Sequence, residues 1–229
     1  MRTEIEHTTA QQESEDTRDR ILLAAQKFFA ENGFDSTSVR DITTEAGCNV
    51  ASVNYHFGGK DSLYLESFRS MLGLLRDHRL QRVDDLMSRP QPPSIEEFAE
   101  TFAEIMIEPL VGDPRGRLFL LLVSREMISP RLPQGVLFEE FFEPMMSASA
   151  DALVKVEPSL DRGSAHLCVM SMVGQLLHSL KAHQLLRELP QTDLLPAEHD
   201  QQMAHFVRFA VGGIRACAEA DDAALEVRQ

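Results

Sequence analysis

Glycine and proline divide this 229-residue chain at intervals suited to helices, and between those breaks apolar residues recur every three or four positions rather than every two. That spacing lines them up on one face of an α-helix and would leave a strand with no inward face. An all-helical chain follows. The spacing predicts a first helix over 17–32, with Ile21, Ala25 and Phe28 on one stripe, Leu22 and Phe29 beside it, and Gly33 as its C-terminal cap. Ser38 and Asp41 stand at capping-box spacing ahead of a short second helix that turns Val39, Ile42 and Ala46 inward and closes at Gly47. Asn49 caps a third short helix that buries Val53 and Phe57 and stops at Gly58 and Gly59. A long fourth helix is expected over 60–88, ended by Pro90, Pro92 and Pro93.

Ser94 with Glu97, and Asp113 with Pro114, open two further helices. The stretch 130–158, rich in Phe and Met, is expected to form one helix bent near Pro144. Two long helices over 161–187 and 197–219 then close the chain. Segments 1–15 and 221–229 carry few apolar groups and are expected to be frayed tails. The fold class is therefore all-α: an N-terminal three-helix unit over 16–62, joined through a long fourth helix to a larger helical domain over 63–220.

Composition limits the function. With 43% apolar residues the chain can bury a substantial core, and no run of about 18 apolar residues suggests a membrane span. The polar, acidic start does not read as a signal peptide, so the cytoplasm is the expected compartment. Cys48, Cys168 and Cys217 are odd in number, far apart and without CxxC spacing, which suggests neither a disulfide framework nor a zinc knuckle. His166, His178, His183, His199 and His205 never place a pair four apart on one helix face. No metal and no cofactor is expected, and the absence of GxSxG, HExxH, Walker-type and Rossmann glycine patterns argues against an enzyme.

Charge pulls the other way from nucleic acid. The chain carries 22 Lys and Arg against 36 Asp and Glu, a net −14, which repels a polyanion at long range. Residues 16–62 hold five basic groups (Arg18, Arg20, Lys27, Arg40, Lys60) and seven acidic ones. Any grip on DNA must rest on a few placed groups, helix ends and duplication in a dimer.

Three short helices separated by glycine turns, the third polar on one side, are the parts of a helix-turn-helix. Residues 37–63, TSVRDITTEAGCNVASVNYHFGGKDSL, resemble the DNA-binding domain of the TetR family, and the likeness extends over about 17–63. The resemblance implies that the helix at 50–56 lies in the major groove. Val50, Ala51 and Ser52 then match positions facing base edges, where methyl groups meet thymine and a hydroxyl bonds either way. Asn54, Tyr55 and His56 match phosphate-contacting positions. Ser38 and Arg40 on the second helix, Asn49 at the cap and Lys60 at the head of the fourth complete the expected DNA-binding set. Because Val53 and Phe57 already fill the inward positions, Tyr55 and His56 are expected to face DNA rather than the core.

The segments LLLVSREMISP (120–130), VGQLLHSL (173–180) and FVRFAVGGIRA (206–216) look like the CecR-type C-terminal domain of one branch of that family. That likeness implies a helical ligand chamber and a dimer built from the last two helices. An apolar or amphipathic effector is expected against Phe102, Met106, Phe119, Met127, Phe138, Phe142 and Met170, with Gln175 nearby and Arg125 or Glu126 as polar anchor. The dimer seam is expected from Met170, Val173, Gly174 and Leu177 on one helix and Met203, Phe206, Ala210, Ile214 and Cys217 on the other. Expected partners are thus a palindromic DNA operator, a small-molecule effector and a second copy of the chain, with no membrane. The alternative is a small-molecule-binding helical protein whose DNA binding is weak or lost.

Overall fold

The computed structural model describes the backbone of residues 2–111, 114–186 and 199–226, and the side chains of these except 2–12, 108–111, 114, 115, 117, 180–186, 199, 225 and 226. Among the described residues there is no strand. The helices are α1 (Arg2–Asn32), α2 (Val39–Ala46), α3 (Ala51–Phe57), α4 (Lys60–Met87), α5 (Ile95–Val111), α6 (Pro114–Ile128), α7 (Glu143–Val156), α8 (Arg162–Leu186) and α9 (His199–Glu226), with a π-helical turn at Phe138–Phe142. Asp113, expected to cap α6, lies outside the described residues. So do the expected end of the eighth helix at 187 and the start of the last at 197.

Packing divides the chain into two compact units, Met1–Leu75 with Leu110–Leu137, and Arg76–Pro109 with Phe138–Gln229. This differs from a single boundary at 62/63, because α6 and the turn after it pack with the N-terminal helices. In the first unit α2, α3 and α6 all lie against α1. Its core holds Ile21, Ala25, Phe29, Ile42, Val53, Leu63 and Phe68, all buried.

α6 is fastened to α1 by polar bonds. The Arg125 guanidinium donates through Nε to the Ala30 carbonyl at 2.8 Å and through Nη2 to the Glu31 carbonyl at 2.6 Å. These are carbonyls that the last turn of a helix leaves without intrahelical partners, and they carry the negative end of its dipole. Gly33 follows with φ +83°, a left-handed conformation that ends α1 without a Cβ penalty.

The second unit buries Phe98, Phe102, Met106, Leu153, Val169, Met172, Phe206 and Ile214 in one cluster. Within it α7 packs on α8, and α8 on α9. Three expectations need correction here. Residues 2–15 of the expected N-terminal tail are the first part of α1, and α9 runs to Glu226 through part of the expected C-terminal tail. The single bent helix over 130–158 is instead an irregular stretch, the π-helical turn and then α7, with Pro144 in the first turn of α7, where its missing N–H costs no intrahelical bond.

Candidate functional site

Local capping fixes the two short helices of the first unit. Ser38 has extended φ/ψ of −97° and 149°, and its Oγ accepts the Asp41 N–H at 3.1 Å, while the Ser38 N–H donates to Asp41 Oδ2 at 3.3 Å. Gly47, at φ 63°, ends α2 in the left-handed conformation. Asn49 Oδ1 accepts the Ala51 N–H at 3.0 Å and so caps α3, although α3 itself begins one residue later than the cap-to-helix spacing suggested.

α3 is seven residues long and two-sided. Val53 and Phe57 are buried against the other helices, as their spacing of four requires. Val50, Ala51, Asn54 and Tyr55 are exposed, Tyr55 to 81%, and Ser52 and His56 are half-buried. The outward face thus presents two methyl-bearing side chains, a hydroxyl, an amide, a phenol and an imidazole on a rigid element. The Tyr55 ring lies edge-on to His56 with centroids 4.9 Å apart.

Of the five basic groups within residues 16–62, two are paired with carboxylates. Lys27 pairs with Glu45 at 2.8 Å and Arg18 with Glu66 at 3.2 Å. The Glu45 carboxylate, which bonds to the Lys27 ammonium and lies beside it, raises the Lys27 pKa above its ordinary value. Arg40 is exposed, and Lys60 Nζ sits 4.2 Å from the centre of the Phe34 ring. Among the described residues neither Arg40 nor Lys60 forms an ion pair. All ten residues expected to meet DNA therefore fall within one unit, on or beside α2, α3 and the head of α4.

A short capped helix with a solvent-facing polar side, packed on two neighbours in an all-helical chain, defines the helix-turn-helix class of DNA-binding proteins. Residues 21–67 match the family model "Bacterial regulatory proteins, tetR family", and residues 98–213 match "Tetracyclin repressor-like, C-terminal domain". The chain belongs to the TetR family of transcriptional regulators. It is 28% identical over 138 residues to the transcriptional dual regulator CecR of Shigella flexneri, covering 58% of this chain and 61% of that protein. Over 123 residues it is 33% identical to the transcriptional repressor KstR2 of Mycolicibacterium smegmatis, covering 54% of this chain and 48% of that one. The chain thus spans less than two thirds of either relative. A Mesorhizobium loti protein described as a TetR-family regulator shares the fold, with a TM-score of 0.61 at 20% identity over 90% of this chain and 97% of that one.

The residues expected around an effector fall into both units. Phe102 and Met106 are buried in the second unit, Phe142 and Gln175 are half-buried there, and Phe138 and Met170 are exposed. Phe119, Arg125 and Met127 belong to the first unit, Met127 on its surface. Arg125 caps the end of α1 through both of its bonds to backbone carbonyls. Glu126 is likewise committed: buried, it accepts the Tyr64 hydroxyl at 2.8 Å and the N–H groups of Arg131 and Leu132 at 2.6 Å each.

Among the described residues, the charged side chain that lies buried in the second unit is Arg79 of α4, only 2% exposed. Its Nη2 donates to the Met106 carbonyl at 3.2 Å, its Nη1 faces Met145 Sδ at 4.0 Å, and its guanidinium carbon is 5.7 Å from the centre of the Phe141 ring. Nε has no acceptor. Burial lowers the Arg79 pKa to about 10, which still leaves it charged at neutral pH. Burying a charge without an opposite charge costs several kcal/mol. The sequence signal was its register: Arg79 stands on the inward stripe of α4 that otherwise reads Phe68, Leu72, Val83, Leu86.

On α9 the expected seam faces inward for the most part. Phe206, Ala210 and Ile214 are buried in the core of the second unit, Ile214 to 1% exposure, and Met203 and Cys217 are half-buried. The outward stripe is Phe209, Gly212, Gly213 and Ala216, while on α8 Leu167, Met170 and Gly174 are exposed and Val173 and Leu177 half-buried. α9 carries two apolar stripes, and the larger one belongs to the core. Between α8 and α9 lies a cleft of about 240 Å³, lined by Leu167, Cys168, Gln175, Phe209, Gly213 and Cys217. Cys168 and Cys217, distant in sequence, meet here. Burial, with Cys217 beside it, pushes the Cys168 thiol up to about 12.

Proposed function

We propose that the chain acts as a homodimeric repressor that holds a palindromic operator with the outward face of α3 and releases it when a small amphipathic molecule enters the second unit. The observation that carries this reading is α3 itself: Val50, Ala51, Asn54 and Tyr55 stand exposed on a helix locked by the Asn49 cap and by buried Val53 and Phe57. Val50, Ala51 and Ser52 supply methyl and hydroxyl groups for base edges, and Asn54, Tyr55 and His56 supply donors for phosphate oxygens. Arg40 and Lys60, unpaired with any carboxylate among the described residues, add the positive charge that the unit as a whole lacks.

The second copy is supported by the exposed apolar stripe of α8 and α9. Leu167, Met170 and Phe209 are large groups that lose free energy in water, and Gly174 and Gly213 beside them let two backbones approach. Two copies place two α3 helices on one duplex, which supplies the avidity that an acidic chain needs. α4 is one continuous helix that begins at Lys60 beside the DNA-facing residues and passes through Arg79. A ligand that binds one setting of that helix better than another shifts the population between DNA-bound and free forms.

The test is selection. Purified full-length protein, incubated with fragments of its source genome at low salt, should enrich an inverted repeat, and binding should weaken steeply as salt rises. Recovery of no preferred sequence would contradict this reading and favour a ligand-binding protein that has lost DNA recognition.

A further inference from the structure

The second unit buries a cation, Arg79, that no carboxylate among the described residues faces. Arg79 has five N–H donors in a fixed fork. Its contacts are one carbonyl, one thioether sulfur and one aromatic face, and Nε is buried without an acceptor. Among the described residues no carboxylate pairs with it. A second buried polar group lies on α7. Ser149 is fully buried and its Oγ has no partner, although a helical serine ordinarily bonds back to the carbonyl four residues earlier. Four residues before it is Met145, the residue whose sulfur faces Arg79, so Ser149 shares that face of the helix.

The rest of the surroundings are apolar and yielding. Met106 and Met145 are unbranched, polarisable side chains that repack readily. Phe141 comes from the π-helical turn Phe138–Phe142, a distortion that recurs at functional positions in helices.

We infer that Arg79 is the anchor for the carboxylate of an amphipathic organic acid, with Ser149 as an additional hydroxyl donor and the apolar body of the acid packed against Met106, Met145 and Phe141. The planar guanidinium matches a carboxylate in two parallel bonds, and one of its unsatisfied donors is then used. An uncharged ligand of the same shape would leave the cation uncompensated. This rests on the effector role proposed for the second unit, and it specifies the charge of the effector.

The experiment uses the full chain and four probes: octanoate and 4-phenylbutyrate, and their uncharged counterparts 1-octanol and 4-phenylbutan-1-ol. Calorimetric titration and thermal unfolding should show saturable binding of at least one acid, and a ligand-dependent rise in Tm. The matching alcohol should bind at least about tenfold more weakly, because it cannot neutralise a buried guanidinium. The two acids separate an alkyl from an aryl body, and a preference for either supports the anchor. Arg79→Met should weaken acid binding by roughly a hundredfold and, unliganded, should unfold no lower than the unaltered chain. Arg79→Lys should keep the acid-over-alcohol preference.

Equal binding of acid and alcohol, binding of neither acid, or undiminished acid binding by Arg79→Met would overturn the inference. Should Arg79→Met fail to fold, the acid-against-alcohol comparison on the unaltered chain decides alone. Operator selection without acid binding would remove this inference and leave the DNA-binding reading in place, whereas acid binding through Arg79 without operator selection would do the reverse.

Discussion

The Tyr64 hydroxyl donates a 2.8 Å hydrogen bond to the carboxylate of Glu126, 62 residues further along, and so joins the head of α4 to the end of α6 inside the first unit. Both groups are buried. The carboxylate is completed by the backbone N–H groups of Arg131 and Leu132, which fold the turn after α6 back onto it. The Tyr64 ring meanwhile packs edge-on against Phe29, Phe34 and Phe68.

Tyr64→Phe keeps the ring and deletes the donor, and it should lower unfolding stability by about 1–3 kcal/mol in a urea titration. It should also change the alkaline limb. Burial, and then the Glu126 carboxylate, hold the Tyr64 pKa well above its ordinary 10.0. A raised folded pKa means that this contribution is whole below about pH 10 and is lost as pH rises beyond it, because the unfolded chain ionises first. The phenylalanine variant should lose less stability between about pH 9 and 11 than the unaltered chain. Equal losses would show that Tyr64 is not buried as described.

At the other end of the pH scale, Asp161 caps α8. Its Oδ1 accepts the N–H groups of Gly163 at 2.6 Å and Ser164 at 2.9 Å, and these bonds hold its carboxyl below the ordinary 3.8. A depressed folded pKa contributes stability that is present above the unfolded value and lost as pH falls through the folded one. Asp161→Asn retains an acceptor but no charge. Acid titration of Tm should therefore fall less steeply for the variant between about pH 5 and 2, and identical curves would remove the charge from the cap.

Phe209 is 64% exposed on α9 and lines the cleft beside Gly213. If this stripe joins two copies, Phe209→Glu should raise the dimer dissociation constant about thirtyfold or more, as loss of a buried aromatic anchor does. Sedimentation at graded concentrations reads this directly. A variant that stays dimeric over the range of the unaltered chain would place the interface elsewhere.

What the sequence made legible was local. Ser38 with Asp41, Asn49 with Ala51 and Ser94 with Glu97 are bonds within three residues, so residue type and spacing were enough to place them. The caps position α3, and with it the outward face that carries Tyr55. Pairings across distance were not legible: Arg125 reaches carbonyls 95 and 94 residues away, and Lys27 meets Glu45 across two helices. On α9 most of the residues expected at the seam are buried in the core, since both stripes are apolar or small and periodicity cannot say which one a core takes. Arg79 is an exception, because its register on α4 is visible in the sequence. A lone charge within an inward stripe marks either a buried pair or a ligand, and the other members of this stripe, Phe68, Leu72, Val83 and Leu86, are apolar.

Tyr55 stands 81% exposed on the outward face of α3, the face proposed to meet DNA. Fluorescence anisotropy with a selected operator, comparing the unaltered chain with Tyr55→Ala, tests it most directly. The variant should bind about tenfold more weakly, roughly 1.4 kcal/mol, with an unchanged Tm, since the side chain adds little to the core. An unchanged operator affinity would contradict the assignment of this face to DNA.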